Sequence, residues 1–317
     1  MCIRDRAGGV AAFENWHGPT YTDSGGFQVM SLGVGFNKVL GMETKDIKPE
    51  DVKARHKERY AHVDDDGVNF RSVINGSKHR FTPEKSMQIQ HGLGAERCLE
   101  EHNRLTEARV GKPLQSLWGV VQGAQYEDLR RHAAQSLVDM SDRFEAEGRR
   151  GFGGFGIGGA LEKIALGTIV GWVTDVLPDN KPRHLLGISE PDDLFTAIEA
   201  GADTFDCVSP TRLGRRGGVY TLDGRLSLKT ARFTRDFRPI DDELEGYASQ
   251  YSRAYIHHLL KAKEFLAGTL CSIHNIQFIV SLVHNARQAL IEGRFHEYRD
   301  EFLGRYYANG GRAPEWK

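Results

Sequence analysis

The chain has 317 residues, enough for about two domains or for one large barrel with an appendage. Hydrophobic residues make up 39% and charged residues 27%, a balance that excludes disordered, collagen-like and fibrous classes. Lys and Arg number 42 against 43 Asp and Glu, so the whole chain is no electrostatic sponge for nucleic acid, although a local basic patch stays open. Cys2, Cys98, Cys207 and Cys271 are scattered without a CxxC pair. That argues against a disulfide framework and a four-Cys zinc site, and it suits a reducing cytoplasm. No run has the unbroken apolar length of a membrane span, so no membrane partner is expected.

Residues 1–6, MCIRDR, have neither the apolar segment of a secretory signal nor a helix or strand period, and are read as a scar outside the fold. From about residue 18 to 208, short apolar runs alternate with helical patterns. The expected strands are Thr20–Thr22, Leu114–Val121, Phe155–Ile157, His184–Ile188 and Thr204–Val208. The expected helices are Tyr126–Phe144, with Leu129, Ala133, Leu137 and Met140 on its apolar face, then Glu162–Val176 and Pro191–Ala200. This alternation predicts an α/β fold with a parallel sheet, either doubly wound or a (β/α) barrel. Two hairpins interrupt it: Val68–Ile74 and Lys78–Thr82 around Asn75-Gly76, then Val219–Leu222 and Leu226–Lys229 around Asp223-Gly224. Beyond Ser249 the pattern is helical, over Tyr251–Leu270, Ile276–Ile291 and Glu297–Tyr307. The expected organisation is a barrel domain over 7–240 and a helical subdomain over 241–317.

Four stretches could carry chemistry. Asp23 follows a strand and precedes Gly25-Gly26, so it is either a turn cap or a carboxylate at the C-terminal rim of a barrel; taken alone, the cap is favoured. Asp206 lies within a short apolar strand, where a charge needs a partner or a job as nucleophile or base; the two readings weigh about equally. The glycines of Gly153–Gly159 fit a dinucleotide motif poorly and fit close backbone approach to a flat ligand better. Ser209–Pro239 concentrates Arg212, Arg215, Arg216, Arg225, Lys229, Arg232, Arg235 and Arg238. It suits phosphate and base contact, or equally a solvated hairpin with surface ion pairs.

With these residues in hand, the sequence resembles the bacterial tRNA-guanine transglycosylases (queuine tRNA-ribosyltransferases). The matching motifs are TDSGGFQVMSL (Thr22–Leu32), HRFTPEKSMQIQHGLGA (His79–Ala95), VVQGAQYEDLRR (Val120–Arg131), IGGALEK (Ile157–Lys163), HLLGISEPDDL (His184–Leu194), FDCVSPTRLGRRG (Phe205–Gly217) and YSRAYIHHL (Tyr251–Leu259). They stand in family order over nearly the whole chain.

The resemblance implies a (β/α)8 barrel with a zinc-bearing insertion, and exchange of the wobble guanine of tRNA for a 7-deazaguanine, 7-aminomethyl-7-deazaguanine in bacteria. It implies Asp206 as the nucleophile at ribose C1′ and Asp23 as general acid/base. Ser24, Gly25, Gly26, Phe27, Gln122, Gly158 and Gly159 would hold the base, with Phe27 stacking on it. Gly187, Ile188, Ser189, Glu190, Pro191, Asp192 and Asp193 would touch the tRNA, as would Thr211, Arg212, Leu213, Gly214 and Arg215. A homodimer is common in the family.

Three departures stand out. The family strands before TDSGG are missing. Ala95 runs straight into Glu96, so a strand–helix segment is deleted, together with the Asp that reads the base edge. The zinc thiolates are absent from Leu244–Ser249, leaving His274 as the one matching ligand, so no zinc is expected. Two other readings remain open: a catalytically degenerate paralogue that binds tRNA or a partner subunit, and deazaguanine insertion into DNA.

Overall fold

The computed structural model describes residues 14–16, 18, 21, 61–64, 67–71, 76–81, 99–107, 115–159 and 163–308. The chain divides into two compact units, residues 1–121 with 132–155 and residues 122–131 with 156–317. Of the expected strand Thr20–Thr22 only Tyr21 is described, and it lies in no strand.

The first unit holds a three-stranded antiparallel sheet, β1 (Ala61–Asp64), β2 (Gly67–Arg71) and β3 (Lys78–Phe81). Val68 pairs with Phe81 and Arg71 with Lys78, which is the hairpin that Asn75-Gly76 predicts. β1 had no counterpart in the sequence reading. Helix α1 (Leu99–Glu107) also escaped it. Its buried Asn103 donates to Arg150 O at 3.0 Å and accepts from Arg150 N at 2.8 Å, closing the loop after the next helix. β4 is Trp118–Val121, shorter than the expected Leu114–Val121.

Helix α2 runs from Glu127 to Ala146, with Glu127 and Asp128 in its first turn where the helix dipole favours them. Its buried face differs from the expected one. Leu129 is 50% and Met140 38% exposed, while Arg130, Ala134, Ser141 and Phe144 are buried. The phase is set by polar anchors that an apolar count ignores: Arg130 binds backbone carbonyls, and Ser141 Oγ accepts from Phe152 N at 2.9 Å.

β5 (Gly154–Ile157) is buried throughout. A single turn at Lys163–Ala165 leads into α3 (Leu166–Thr174), shorter than the expected Glu162–Val176. β6 (Arg183–Leu186), α4 (Pro191–Glu199) and β7 (Thr204–Asp206) follow close to their expected places. Both strands end two residues early. Gly187 leaves the strand with φ +82°, and Ser209–Arg215 forms a helix, α5, that the sequence reading did not place. Pro210 opens its first turn, where a missing N–H does no harm. The sheet order is β4-β5-β6-β7, and β6 pairs with β7 in parallel. The fold is therefore α/β with strand–helix alternation, of the (β/α) type expected. Among the described residues these strands form an open four-stranded sheet and not a closed ring.

β8 (Gly218–Thr221) and β9 (Gly224–Ser227) form the second hairpin. Thr221 pairs with Gly224, so Leu222-Asp223 make the turn, one residue earlier than the expected Asp223-Gly224. Helices α6 (Arg253–Ala262), α7 (Phe265–Ile291) and α8 (Phe295–Ala308) complete the unit. The expected helix Tyr251–Leu270 breaks at Lys263, whose left-handed backbone (φ +59°) ends α6 and turns the chain into α7. Conversely, α7 continues through 271–275, where a boundary was expected. By length and composition α7 is the one described helix long and apolar enough to cross a membrane, although His274, Asn275, Gln277 and His284 interrupt its apolar run, as the core helix of a globular unit allows. It buries Leu270, Cys271, Phe278, Leu282, Ala286 and Ala289. Leu270 and Cys271 join Val219, Leu228, Ile240 and Ile256 in one core. Phe278 and Leu282 join Phe195, Tyr220, Phe302 and Tyr306 in another.

Candidate active site

β6 and β7 run in parallel with His184 opposite Thr204 and Leu186 opposite Asp206. This register puts His184 beside both β7 side chains on one face of the sheet. Its Nε2 lies 3.1 Å from Asp206 Oδ1, and its Nδ1 lies 2.8 Å from Thr204 Oγ1. Gly187 N donates to the same Oδ1 at 3.2 Å. The His184 hydrogen bond and then the Gly187 N–H hold the Asp206 carboxyl below its usual pKa against the opposing effect of burial. Asp206 is thus an ionised carboxylate at ordinary pH. Its side chain is 57% exposed, because it ends its strand instead of lying within it. The sequence argument from a buried charge therefore does not apply to Asp206. His184 sits on an expected strand with no signal of its own in the sequence; what reveals it is the two-residue spacing of Thr204 and Asp206 opposite it.

Gln122 follows β4, and Gly158 and Gly159 follow β5. Gly159 has φ +103°, and a Cβ there would sit 3.3 Å from Gln122 Oε1 and 2.9 Å from Arg130 Nη2. Only glycine leaves room for both side chains in that backbone conformation. Arg130, fully buried, donates from Nη1 to Gly158 O at 2.7 Å and from Nε to Ala124 O at 2.9 Å. One guanidinium therefore ties together the two loops that carry Gln122 and the Gly158-Gly159 pair. Burial lowers its pKa, yet arginine keeps its charge in proteins.

The segment after β6 is mostly inward-facing. Ser189, Asp192 and Asp193 are buried. Lys163 Nζ reaches Asp192 Oδ2 at 2.9 Å and Asp193 Oδ1 at 3.1 Å. Burial, then the neighbouring Asp192 charge, pushes the Asp193 carboxyl up to about 7. Glu190 pairs with Arg225. Ile188 packs against the aromatic core, Pro191 starts α4, and Gly187 is the exposed residue of the stretch.

On α5, Arg212 and Arg215 are exposed, three residues apart and on one side of the helix. Thr211 Oγ1 donates to Val208 O, Leu213 packs against the aromatic core, and Gly214 is buried against α7. A Cβ on Gly214 would lie 2.7 Å from Ser272 N, so the two backbones touch. Farther along the basic stretch, local pairs absorb charge: Arg225 with Glu190, and Arg238 with Asp236, which also meets Arg253. Asp23, Ser24, Gly25, Gly26 and Phe27 lie outside the described residues.

The donors present do not fit the zinc that the resemblance implies. His274 Nε2 is 2.7 Å from Tyr220 O, and a carbonyl only accepts, so this nitrogen carries a proton. Burial pushes the Cys271 thiol up to about 12, leaving it neutral. Ala248 and Leu244 serve the two apolar cores. Among the described residues no three His, Cys, Asp or Glu side chains converge.

A family model described as queuine tRNA-ribosyltransferase matches residues 2–96 and 94–308. The queuine tRNA-ribosyltransferase of Fusobacterium nucleatum subsp. nucleatum is 38% identical over 325 residues, 95% of this chain and 79% of that protein. That of Caldanaerobacter subterraneus subsp. tengcongensis is 38% identical over 334 residues, covering 97% and 80%. That of Bacillus subtilis strain 168 is 36% identical over 348 residues, covering 99% and 80%. This last alignment is longer than the 317-residue chain, so the relative carries residues with no counterpart here. The family match also changes segment at 94–96, where the sequence reading places its deletion. Matches of this extent and identity make the assignment: the chain belongs to the queuine tRNA-ribosyltransferase family of pentosyltransferases.

Proposed function

We propose that this chain exchanges the wobble guanine of tRNA for a 7-deazaguanine, 7-aminomethyl-7-deazaguanine, through a covalent ester between Asp206 and the ribose. The observation that carries the reading is Asp206 itself: an exposed carboxylate, held ionised by His184 and Gly187, at the C-terminal end of a parallel strand. Active sites of (β/α) folds gather at that end.

In the first displacement an Asp206 oxygen bonds to C1′ and the C1′–N9 electron pair leaves with guanine, which takes up a proton from Asp23 acting as general acid. In the second, the incoming base gives its N9 proton to Asp23, and N9 displaces the carboxylate. Two inversions retain configuration, as in retaining glycosidases. Gln122 and the Gly158-Gly159 turn read the purine edge, with Phe27 stacked on its face. Arg212 and Arg215 meet the anticodon loop, whose splayed bases suit guanidinium stacking and phosphate pairing. The subdomain over 241–317 works without zinc, its core closed by Ala248, Leu244 and the His274 hydrogen bond.

A second reading, tRNA binding without exchange, draws on the segment that the relatives have and this chain lacks. One experiment separates the two. Purified chain is incubated with unmodified tRNA and labelled guanine, with Asp206→Asn as control. Incorporation by the parent alone supports exchange; no incorporation, with a salt-sensitive tRNA gel shift, supports binding only.

A further inference from the structure

Resting on Asp206 as the nucleophile, the surroundings of its carboxylate distinguish the two oxygens. Oδ1 receives two donors, His184 Nε2 at 3.1 Å and Gly187 N at 3.2 Å. Among the described residues no donor reaches Oδ2. An ionised carboxylate only accepts, so His184 Nε2 must carry the proton. Thr204 Oγ1, 2.8 Å from Nδ1, can supply a hydroxyl proton to that nitrogen and so fix this tautomer. The His184 side chain is 6% exposed against 57% for Asp206, so a packed ring aims its N–H at a group that faces solvent.

We propose that His184 is a positioning residue which, with the Gly187 N–H, cradles Oδ1, leaves Oδ2 as the oxygen that attacks C1′, and speeds breakdown of the ester more than its formation. When Oδ2 bonds to C1′ and the C1′–N9 pair departs with guanine, Oδ1 becomes the ester carbonyl and its negative charge falls. When N9 of the incoming base attacks C1′, the C1′–Oδ2 pair returns to the carboxylate and charge grows again on Oδ1. Two fixed donors meet that charge as it develops, the arrangement by which preset dipoles stabilise departing anions. Taking one donor away favours the ester over the free carboxylate.

The test uses the full chain with tRNA carrying a wobble guanine. The covalent adduct is read on a denaturing gel, then chased with free guanine. In His184→Leu the adduct fraction is expected to rise above the parent's, and the chase to slow about tenfold or more, the worth of one hydrogen bond to a charged group. His184→Gln, which returns an N–H donor, should restore both. Thr204→Val should shift both in the same direction by less, and it carries the test if His184→Leu fails to fold. The proposal is overturned if His184→Leu melts like the parent with adduct fraction and chase unchanged, or if formation and breakdown slow equally. A parent that forms adduct while Asp206→Asn does not keeps the nucleophile assignment separate from the fate of the cradle. A parent that forms none overturns both.

Discussion

Replacing Arg130 with methionine keeps most of the side-chain length and removes the charge and all its donors. The structure then leaves two carbonyls without their present partner, Gly158 O from its 2.7 Å bond and Ala124 O from its 2.9 Å bond. Gly158 O is buried and costs about 1–3 kcal/mol when unsatisfied, whereas Ala124 is exposed and water can take its carbonyl, so the loss amounts to roughly 1–3 kcal/mol before the loops relax. Ala124 adds to the dependence, since it holds φ +50°, a strained value for a residue with a Cβ. We expect about 2 kcal/mol lost in urea unfolding, and a Tm lower by roughly 3 °C for a chain of this size. The functional readout is finer. With the Gln122 loop and the Gly158-Gly159 turn no longer tied together, KM for free guanine should rise about tenfold, the equivalent of one hydrogen bond to a charged or well-placed group. Arg130→Lys, which can reach one carbonyl, should fall between. A loss under about 1 kcal/mol would refute the assigned role of the guanidinium. So would a full loss of stability with KM for guanine unchanged in the folded fraction, because the tie would then be structural only.

Three further outcomes can be measured directly. Asn275, fully buried, donates to Pro210 O and Gly218 O and accepts from Tyr220 N, so Asn275→Ala should cost about 3–5 kcal/mol in urea unfolding, and a cost below 1 would mean relaxation or water replaces these bonds. Burial lowers the pKa of His274 from its usual 6.5; a group depressed in the folded state stabilises above its unfolded pKa and loses that contribution as pH falls. Tm should therefore drop as pH falls below about 6.5, with a shallower drop in His274→Gln, and equal slopes would exclude His274 as the cause. Asp193 is the opposite case, a carboxyl raised from 3.8 to about 7, so its contribution is present at low pH and lost as pH rises towards 7. Asp193→Asn should raise stability at pH 8 by on the order of 1–3 kcal/mol and change little at pH 4; a destabilised variant at pH 8 would show that the Lys163 pairing outweighs burial.

Where local signals dominate, the sequence is readable. Pro191 with two following aspartates marks the start of α4 to the residue, and Asn75-Gly76 marks the first hairpin. Strand–helix alternation leads to the right fold class. What escapes is set by tertiary hydrogen bonds. The phase of α2 follows Arg130 and Ser141, which no apolar pattern counts. The continuity of α7 through His274 and Asn275 depends on those two side chains binding the backbone of β8. The candidate site shows the same division. Asp206 stands out by residue type, whereas His184 acquires meaning only when β6 and β7 are in register. The interpretation of Asp192 and Asp193 depends likewise on Lys163, some thirty residues earlier in the chain, turning them inward.

The contact between Gly214 and Ser272 governs how α5 can behave. Seven residues are too few for a helix to persist alone in water, since nucleation alone outweighs the few bonds gained. α5 is instead clamped backbone to backbone on a 27-residue helix, with Gly268 opposite Arg215 one turn from the Gly214 contact. Arg212 and Arg215 therefore project from a mount whose alignment is set by residues about sixty positions later in the chain. Any anionic partner that met them would find their spacing already fixed, with part of the ordering entropy of the backbone that carries those guanidinium stems settled in folding instead of at contact. A bulkier residue at position 214 or 268 would leave both arginines in place chemically while changing the spacing they offer.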